Sequence, residues 1–220
     1  MIGEFFFVNM LKKEANYMKK FKPFIVLLLA LAFIFGSMYF SFEEKKIFWY
    51  LYTFTLLVGI AITILFGKYK DELPTWKYIV FGIGFGTITY GFVRLSYIIL
   101  HQIDKGFFKG TTKFLNTYGP NNIWHYLLLI FIIVVGEEIF WRGFVQEKLK
   151  LYVPAIVSCV ITSTLFALAI SLSGYMPGVV CAFFVSLIFG LLYEWKKSMP
   201  LNIVAHEVFI LLMFLILPFM

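Results

Sequence analysis

The chain has 220 residues, of which 61% are hydrophobic and 21% aromatic, while only 14% are charged. Soluble domains carry about 25% charged residues, so this composition excludes a water-soluble globule, a disordered chain and a collagen-like repeat. Two cysteines, Cys159 and Cys181, are too few to staple a chain of this length. Nineteen Lys and Arg against twelve Asp and Glu give a net charge of +7. In an apolar chain that excess marks lysines at a membrane surface, so no nucleic-acid partner is expected and lipid is.

The N-terminal lead, residues 1–23, carries Lys12, Lys13, Lys19, Lys20 and Lys22. Its basic run resembles the start of a signal peptide. The apolar stretch that follows is too long and lacks a small-x-small cleavage site, which predicts an uncleaved first helix. Seven apolar stretches follow in order: 24–42, 47–66, 78–100, 124–144, 152–170, 176–193 and 201–220. Seven spans of roughly 20 residues use about 140 residues, close to the apolar content available. The runs are continuous rather than alternating, which favours helices over a β-barrel. The connection 101–122 is long, rich in glycine and aromatic residues, and fits an interfacial or re-entrant eighth element. The expected fold is therefore all-α: a polytopic transmembrane bundle of seven to eight helices. Residues 24–220 are expected to form one transmembrane domain, with no repeat or second domain.

With the N-terminus inside, twelve lysines fall on inner segments and five on outer ones. The bias predicts a cytoplasmic N-terminus.

A charge in hydrocarbon costs roughly 2.5–3.5 kcal/mol on insertion scales, so each intramembrane ionisable group is a site hypothesis. The densest group is Gly136-Glu-Glu-Ile-Phe-Trp-Arg-Gly143. Glu138 and Arg142, four apart, share a helix face and can pair. Glu137 lies about 100° round the helix, leaving one carboxylate to act as a general base on water. His206 sits at a comparable depth in the last span and could orient water, stabilise an oxyanion or donate a proton. The plain alternative is a Glu138–Arg142 pair that only fixes helix packing, with His206 bonded to a carbonyl.

The remaining intramembrane features read as structural. Arg94 fits snorkelling, or pairing with Asp104 or a buried glutamate. Gly82-Ile-Gly-Phe-Gly lacks the strand–helix context of a phosphate loop and fits close helix packing. His206-Glu207 begins like the zinc motif H-E-x-x-H, but Ile210 stands at the second histidine position. A metal held by Glu137, Glu138 and His206 ranks below metal-free glutamate chemistry, and no cofactor motif is present.

Four ordered motifs resemble the CPBP family, the CAAX proteases and bacteriocin-processing or self-immunity proteins also called Abi. They are Glu137-Glu-x-x-x-Arg142 with Gly143-Phe144, Thr162-Ser-Thr-Leu-Phe166-Ala-Leu-Ala, Phe189-Gly-Leu-Leu-Tyr193 and Pro200-Leu-Asn-Ile-Val-Ala-His206. They cover about residues 124–212. The resemblance implies an intramembrane endopeptidase acting on a membrane-associated peptide or protein. Glu137 is then the base, Glu138 and Arg142 the supporting pair, and His206 part of the oxyanion site. Two expected polar residues are absent: Ile170 stands where the second motif ends in histidine, and Ile210 where the last ends in Asn or Asp. Neither isoleucine can hydrogen-bond. Asn202, one turn before His206, is a substitute amide donor, and His125 a weaker substitute histidine.

The expectation is thus a protease scaffold with a depleted catalytic set. Its competitors are a non-catalytic protein of bacteriocin immunity or peptide binding, and a small proton-coupled transporter. Phe-, Ile- and Lys-rich usage points to a bacterial plasma membrane.

Overall fold

A computed structural model describes residues 2–218 and, within them, the side chains of residues 21–104 and 106–218. The side chains of Lys12, Lys13, Lys19 and Lys20 therefore lie outside the described residues, as do Phe219 and Met220. Among the described residues the chain forms eight helices: α1 (Ile2–Glu43), α2 (Phe48–Phe66), α3 (Thr75–Ile103), α4 (Lys105–Tyr118), α5 (Ile123–Leu149), α6 (Ala155–Ser171), α7 (Met176–Lys196) and α8 (Met199–Ile216). Six are long and apolar enough to cross a membrane; α6 is apolar but shorter, and α4 is an extra helix in the long connection. The protein is a helical bundle and an integral membrane protein.

Local chemistry sets the helix ends. Asp104 leaves helical geometry and accepts the Gly106 N–H at 2.7 Å, which separates α3 from α4. Asn122 caps α5 by accepting the His125 N–H at 3.1 Å. Gly174 takes a positive φ of 72° in the turn between α6 and α7, where a side chain would be strained. Pro177 and Pro200 occupy the first turns of α7 and α8, where a missing N–H costs nothing.

Two contacts fix the helices that carry the charges. The loop after α2 is strapped to the α7–α8 turn: Met199 N–H donates to the Lys70 carbonyl at 2.7 Å, and Ser198 Oγ donates to Asp71 at 3.1 Å. At the end of α5, Gln146 donates to Glu194 on α7 at 2.9 Å, and Lys150 bridges Glu147 and Glu194 at 2.7 and 2.8 Å. Burial disfavours the Lys150 ammonium, yet the two glutamates more than offset it and raise its pKa.

Glycines set the closest helix approaches. A Cβ on Gly82 would meet Val204 Cγ1 at 2.6 Å, and one on Gly86 would meet Val208 Cβ at 2.8 Å, so α3 lies directly against α8. The glycine run thus has the packing role expected of it. α2 runs beside α5 in a parallel seam: a Cβ on Gly136 would meet Leu56 Cβ at 2.9 Å, and one on Gly59 would meet Phe140 at 3.2 Å.

Gly84, on the other face of α3, has nothing within 4 Å of an added Cβ. Gly86→Leu should therefore lower stability by about 1–3 kcal/mol by forcing α3 from α8, whereas Gly84→Leu should be near neutral. Unfolding in detergent, followed by circular dichroism, reads the difference.

Candidate active site

The charged residues of α5 and α8 converge in the bundle interior. Two π-helical stretches, Leu129–Val134 and Ile139–Gln146, flank a short α-helical turn carrying both glutamates. Such local widening of a helix recurs at functional sites. Glu138 has none of its surface exposed. Its Oε1 forms an ion pair with Arg142 Nη1 at 3.2 Å and a hydrogen bond with His206 Nδ1 at 2.8 Å, and its Oε2 accepts from Asn202 Nδ2 at 3.2 Å. An ion pair and two hydrogen bonds thus surround one carboxylate.

Glu137 projects from the same turn into different surroundings. Its Oε1 accepts a hydrogen bond from the Tyr52 hydroxyl of α2. Its Oε2 lies 3.8 Å from His206 Nε2, beyond direct hydrogen-bond distance but close enough for one water to touch both. His206 thus faces both glutamates, with Nδ1 committed to Glu138 and Nε2 turned toward Glu137. Its ring packs on Phe189, centroid to centroid at 5.0 Å. Arg142 completes the cluster: Nη2 donates to the Ser186 carbonyl at 2.9 Å and hydroxyl at 3.2 Å.

Beside this cluster lies a cavity of about 760 Å3, walled by α3, α4, α6, α7 and α8. Its lining is mostly hydrocarbon and aromatic, with Phe92, Phe107, Phe114, Phe166 and Phe184 among it. Arg142, Ser186 and His206 reach its wall; Glu137 and Glu138 do not line it and sit one layer behind them. Of the residues that contact the two glutamates, His206 and Arg142 are the ones open to the cavity.

The sequence-derived residues fall into two sets. Glu137, Glu138, Arg142, His206 and Asn202 come together. Asn202 faces Glu138, and its Nδ2 also donates to the Phe189 carbonyl at 2.7 Å, so both amide hydrogens are engaged. His125 stands apart, stacked on Trp49 with centroids 4.8 Å apart. Arg94 donates to the Pro218 carbonyl at 2.8 Å, while Asp104 serves as the α4 cap. Glu207 is half-buried and takes no part in the cluster's hydrogen bonds. The two isoleucines part company: Ile170 lines the cavity, whereas Ile210 is 92% buried in the core. Ile170, near the C-terminal end of α6, lines the same cavity as His206. Among the described residues no group of three His, Cys, Asp or Glu side chains is arranged to hold a metal ion. Sequence reasoning missed Tyr52, which lies in an unbroken apolar helix and carries no motif.

Residues 119–212 match a family described as Type II CAAX prenyl endopeptidase Rce1-like. Over that stretch the chain is similar to the family. The match spans less than half of the chain, yet takes in every helix turn that carries Glu137, Glu138, Arg142, Asn202 and His206. It agrees with the CPBP resemblance of the four motifs. No curated protein and no solved structure matches the chain. The matched stretch leaves out α1 to α4, so Tyr52 reaches Glu137 from outside it.

A buried ion pair is most costly to half-remove. Glu138→Gln should destabilise the protein by about 3–5 kcal/mol, and Arg142→Met should do so comparably. Because both remove one interaction, the double variant should cost clearly less than the sum. Urea unfolding in detergent micelles measures the cycle.

Proposed function

We propose that the chain is an intramembrane endopeptidase in which Glu137 activates water and His206 stabilises the developing oxyanion. The observation that carries this reading is the asymmetry of two adjacent glutamates around one histidine. Glu138 is saturated by Arg142, Asn202 and His206 Nδ1. Glu137 keeps one oxygen 3.8 Å from His206 Nε2, with the histidine on the cavity wall. One carboxylate is structural and one is available for proton transfer.

In the reaction, the water oxygen attacks the scissile carbonyl carbon as Glu137 takes the water proton. Charge then develops on the former carbonyl oxygen. With Nδ1 held by Glu138, Nε2 is the ring nitrogen facing that oxyanion, and a hydrogen carried there supplies the donor. Collapse breaks the C–N bond, and the proton passes from Glu137 to the leaving amine nitrogen. No metal is required for these steps to balance.

The apolar cavity favours a substrate that brings hydrocarbon with it: a lipid-bearing peptide or an apolar membrane segment. Residues 24–220 act as one unit, with α2 completing the family-like core at about 124–212. Lys68, Lys70, Lys148, Lys150 and Lys197 belong to one end of the bundle, since the Lys70 loop is strapped to the α7–α8 turn and Lys148 feels the charge of Lys68. That end is assigned to the cytoplasm, together with the N-terminus, and the membrane to a bacterial plasma membrane.

Purified protein in nanodiscs, incubated with a fluorogenic apolar peptide library, tests the activity. Glu137→Gln should lower kcat/KM by about 10²–10⁴-fold; cleavage that survives this change overturns the assignment. Ile170→His adds a hydrogen-bonding group to the wall of the cavity that His206 also lines, and should raise the rate by about 10-fold or more. The same assay, read as kcat/KM against the parent chain, decides it.

A further inference from the structure

We infer that Tyr52 is a positioning residue for Glu137: its hydroxyl holds Oε1 and thereby presents Oε2 to His206 and the attacking water. The inference rests on the endopeptidase reading above and names a group that lies outside the matched stretch.

Tyr52 is 7% exposed, and its ring stacks on Phe48 with centroids 5.6 Å apart. A phenol buried among hydrocarbon must place its hydrogen on an acceptor, and Glu137 Oε1 is that acceptor. Among the described residues, Tyr52 is the sole direct hydrogen-bond donor on Glu137. Arg142 turns Nη1 to Glu138 and Nη2 to Ser186, and makes no hydrogen bond to Glu137. Asn202 gives both amide hydrogens to Glu138 and the Phe189 carbonyl. Ile170, on the cavity wall, offers nothing polar.

A glutamate's terminal torsion is broad and two-fold, so an untethered carboxylate interchanges its oxygens freely. A hydrogen bond to one oxygen removes that freedom and fixes which lone pairs face the water. Geometry of this kind matters steeply, because small misplacements of a reacting group cost on the order of 10²-fold in rate.

The helix seam keeps the tyrosine in place. Leu56 against Gly136 and Gly59 against Phe140 bring α2 and α5 to backbone distance, one and two turns beyond Tyr52. Thr63 continues the same face, 3.3 Å from a Cβ on Gly143. Residues 52, 56, 59 and 63 have the spacing of one helix stripe. The seam is thus built from side chains of one helix on glycines of the other, Leu56 and Thr63 of α2 on Gly136 and Gly143 and Phe140 of α5 on Gly59, and Tyr52 is the polar member of its stripe nearest the glutamates.

The test uses the full chain in nanodiscs. Tyr52→Phe keeps the ring and removes the hydroxyl. It should lower kcat by about 10²-fold with KM within about twofold and an unchanged thermal midpoint, because the ring stacking is preserved. Replacing Tyr52 by 3-fluorotyrosine keeps the donor and should restore the rate. A second readout needs no turnover. Difference infrared spectroscopy isolates the Glu137 carboxyl band by its loss in Glu137→Gln; that band should move in Tyr52→Phe and move the opposite way with the stronger fluorotyrosine donor. An unmoved band, an unchanged kcat, or a loss shared by the fluorotyrosine protein overturns the inference. If the parent chain cleaves nothing, the endopeptidase reading falls, while the infrared band still decides whether Tyr52 holds Glu137.

Discussion

A carboxylate with no exposed surface, Glu138, is the constraint around which the interior of this bundle is organised. An isolated charge in an apolar interior is expensive enough that it either neutralises or gathers partners. Here the partners come from three helices: Arg142 from α5 itself, and His206 and Asn202 from α8, with Arg142 braced in turn by Ser186 of α7. Each of these donors has a second contact that limits where it can stand. Asn202 is tied to the Phe189 carbonyl, and His206 is packed on the Phe189 ring. The charge therefore fixes the relative height and rotation of α5, α7 and α8 more sharply than apolar packing alone, since hydrocarbon contacts tolerate sliding and hydrogen bonds do not.

That arrangement separates two residues that are chemically identical and adjacent in sequence. A helix turns about 100° per residue, so Glu137 cannot enter the cage built for Glu138. It meets α2 instead, and the imidazole lies between the two carboxylates. A single histidine touching a saturated carboxylate on one nitrogen and an unsaturated one near the other is an economical way to orient a ring and leave a proton acceptor beside it. The cavity then supplies an apolar approach that ends on the histidine rather than on the glutamate. On the proposed endopeptidase reading, the hydrocarbon that suits the cavity to an apolar substrate also shields proton transfer from bulk water.

The parts of this site legible in the sequence are those with a local signature. Glu138 and Arg142 declare themselves by an i, i+4 spacing in an apolar run, and His206 and Asn202 share one face of the last helix. The long connection was readable as an extra element because its glycines and aromatic residues break the apolar pattern, and it is the helix α4. Helix bounds were less accessible: α5 runs on to Leu149, past the apolar limit at Phe144, because Gln146 and Lys150 find partners on Glu194. Tyr52 was beyond reach. The chain has thirteen tyrosines, and the one that meets Glu137 does so through a seam whose determinants, Gly59 and Gly136, lie 77 residues apart in sequence. That Ile170 lines a cavity was beyond reach for a related reason: counting residues along a span gives depth, but not which way the wall of a cavity turns.

The two isoleucines that interrupt the motifs consequently differ in meaning. Ile210 is a core residue, packed among other hydrocarbons, and an amide there would have to find partners in an environment that offers few. Ile170 is different, because it already faces the cavity shared with His206 and Arg142. Its side chain extends the apolar wall up to the edge of the polar cluster. A site with Ile170 in that place has exchanged a hydrogen-bonding neighbour for hydrocarbon on the substrate side, and has drawn the polar partner of Glu137 from α2 on the opposite side. The consequence is directional: the glutamate is held from behind by a tyrosine rather than assisted from the front. What reaches the cavity from the lipid meets an almost wholly apolar surface until it arrives at the imidazole.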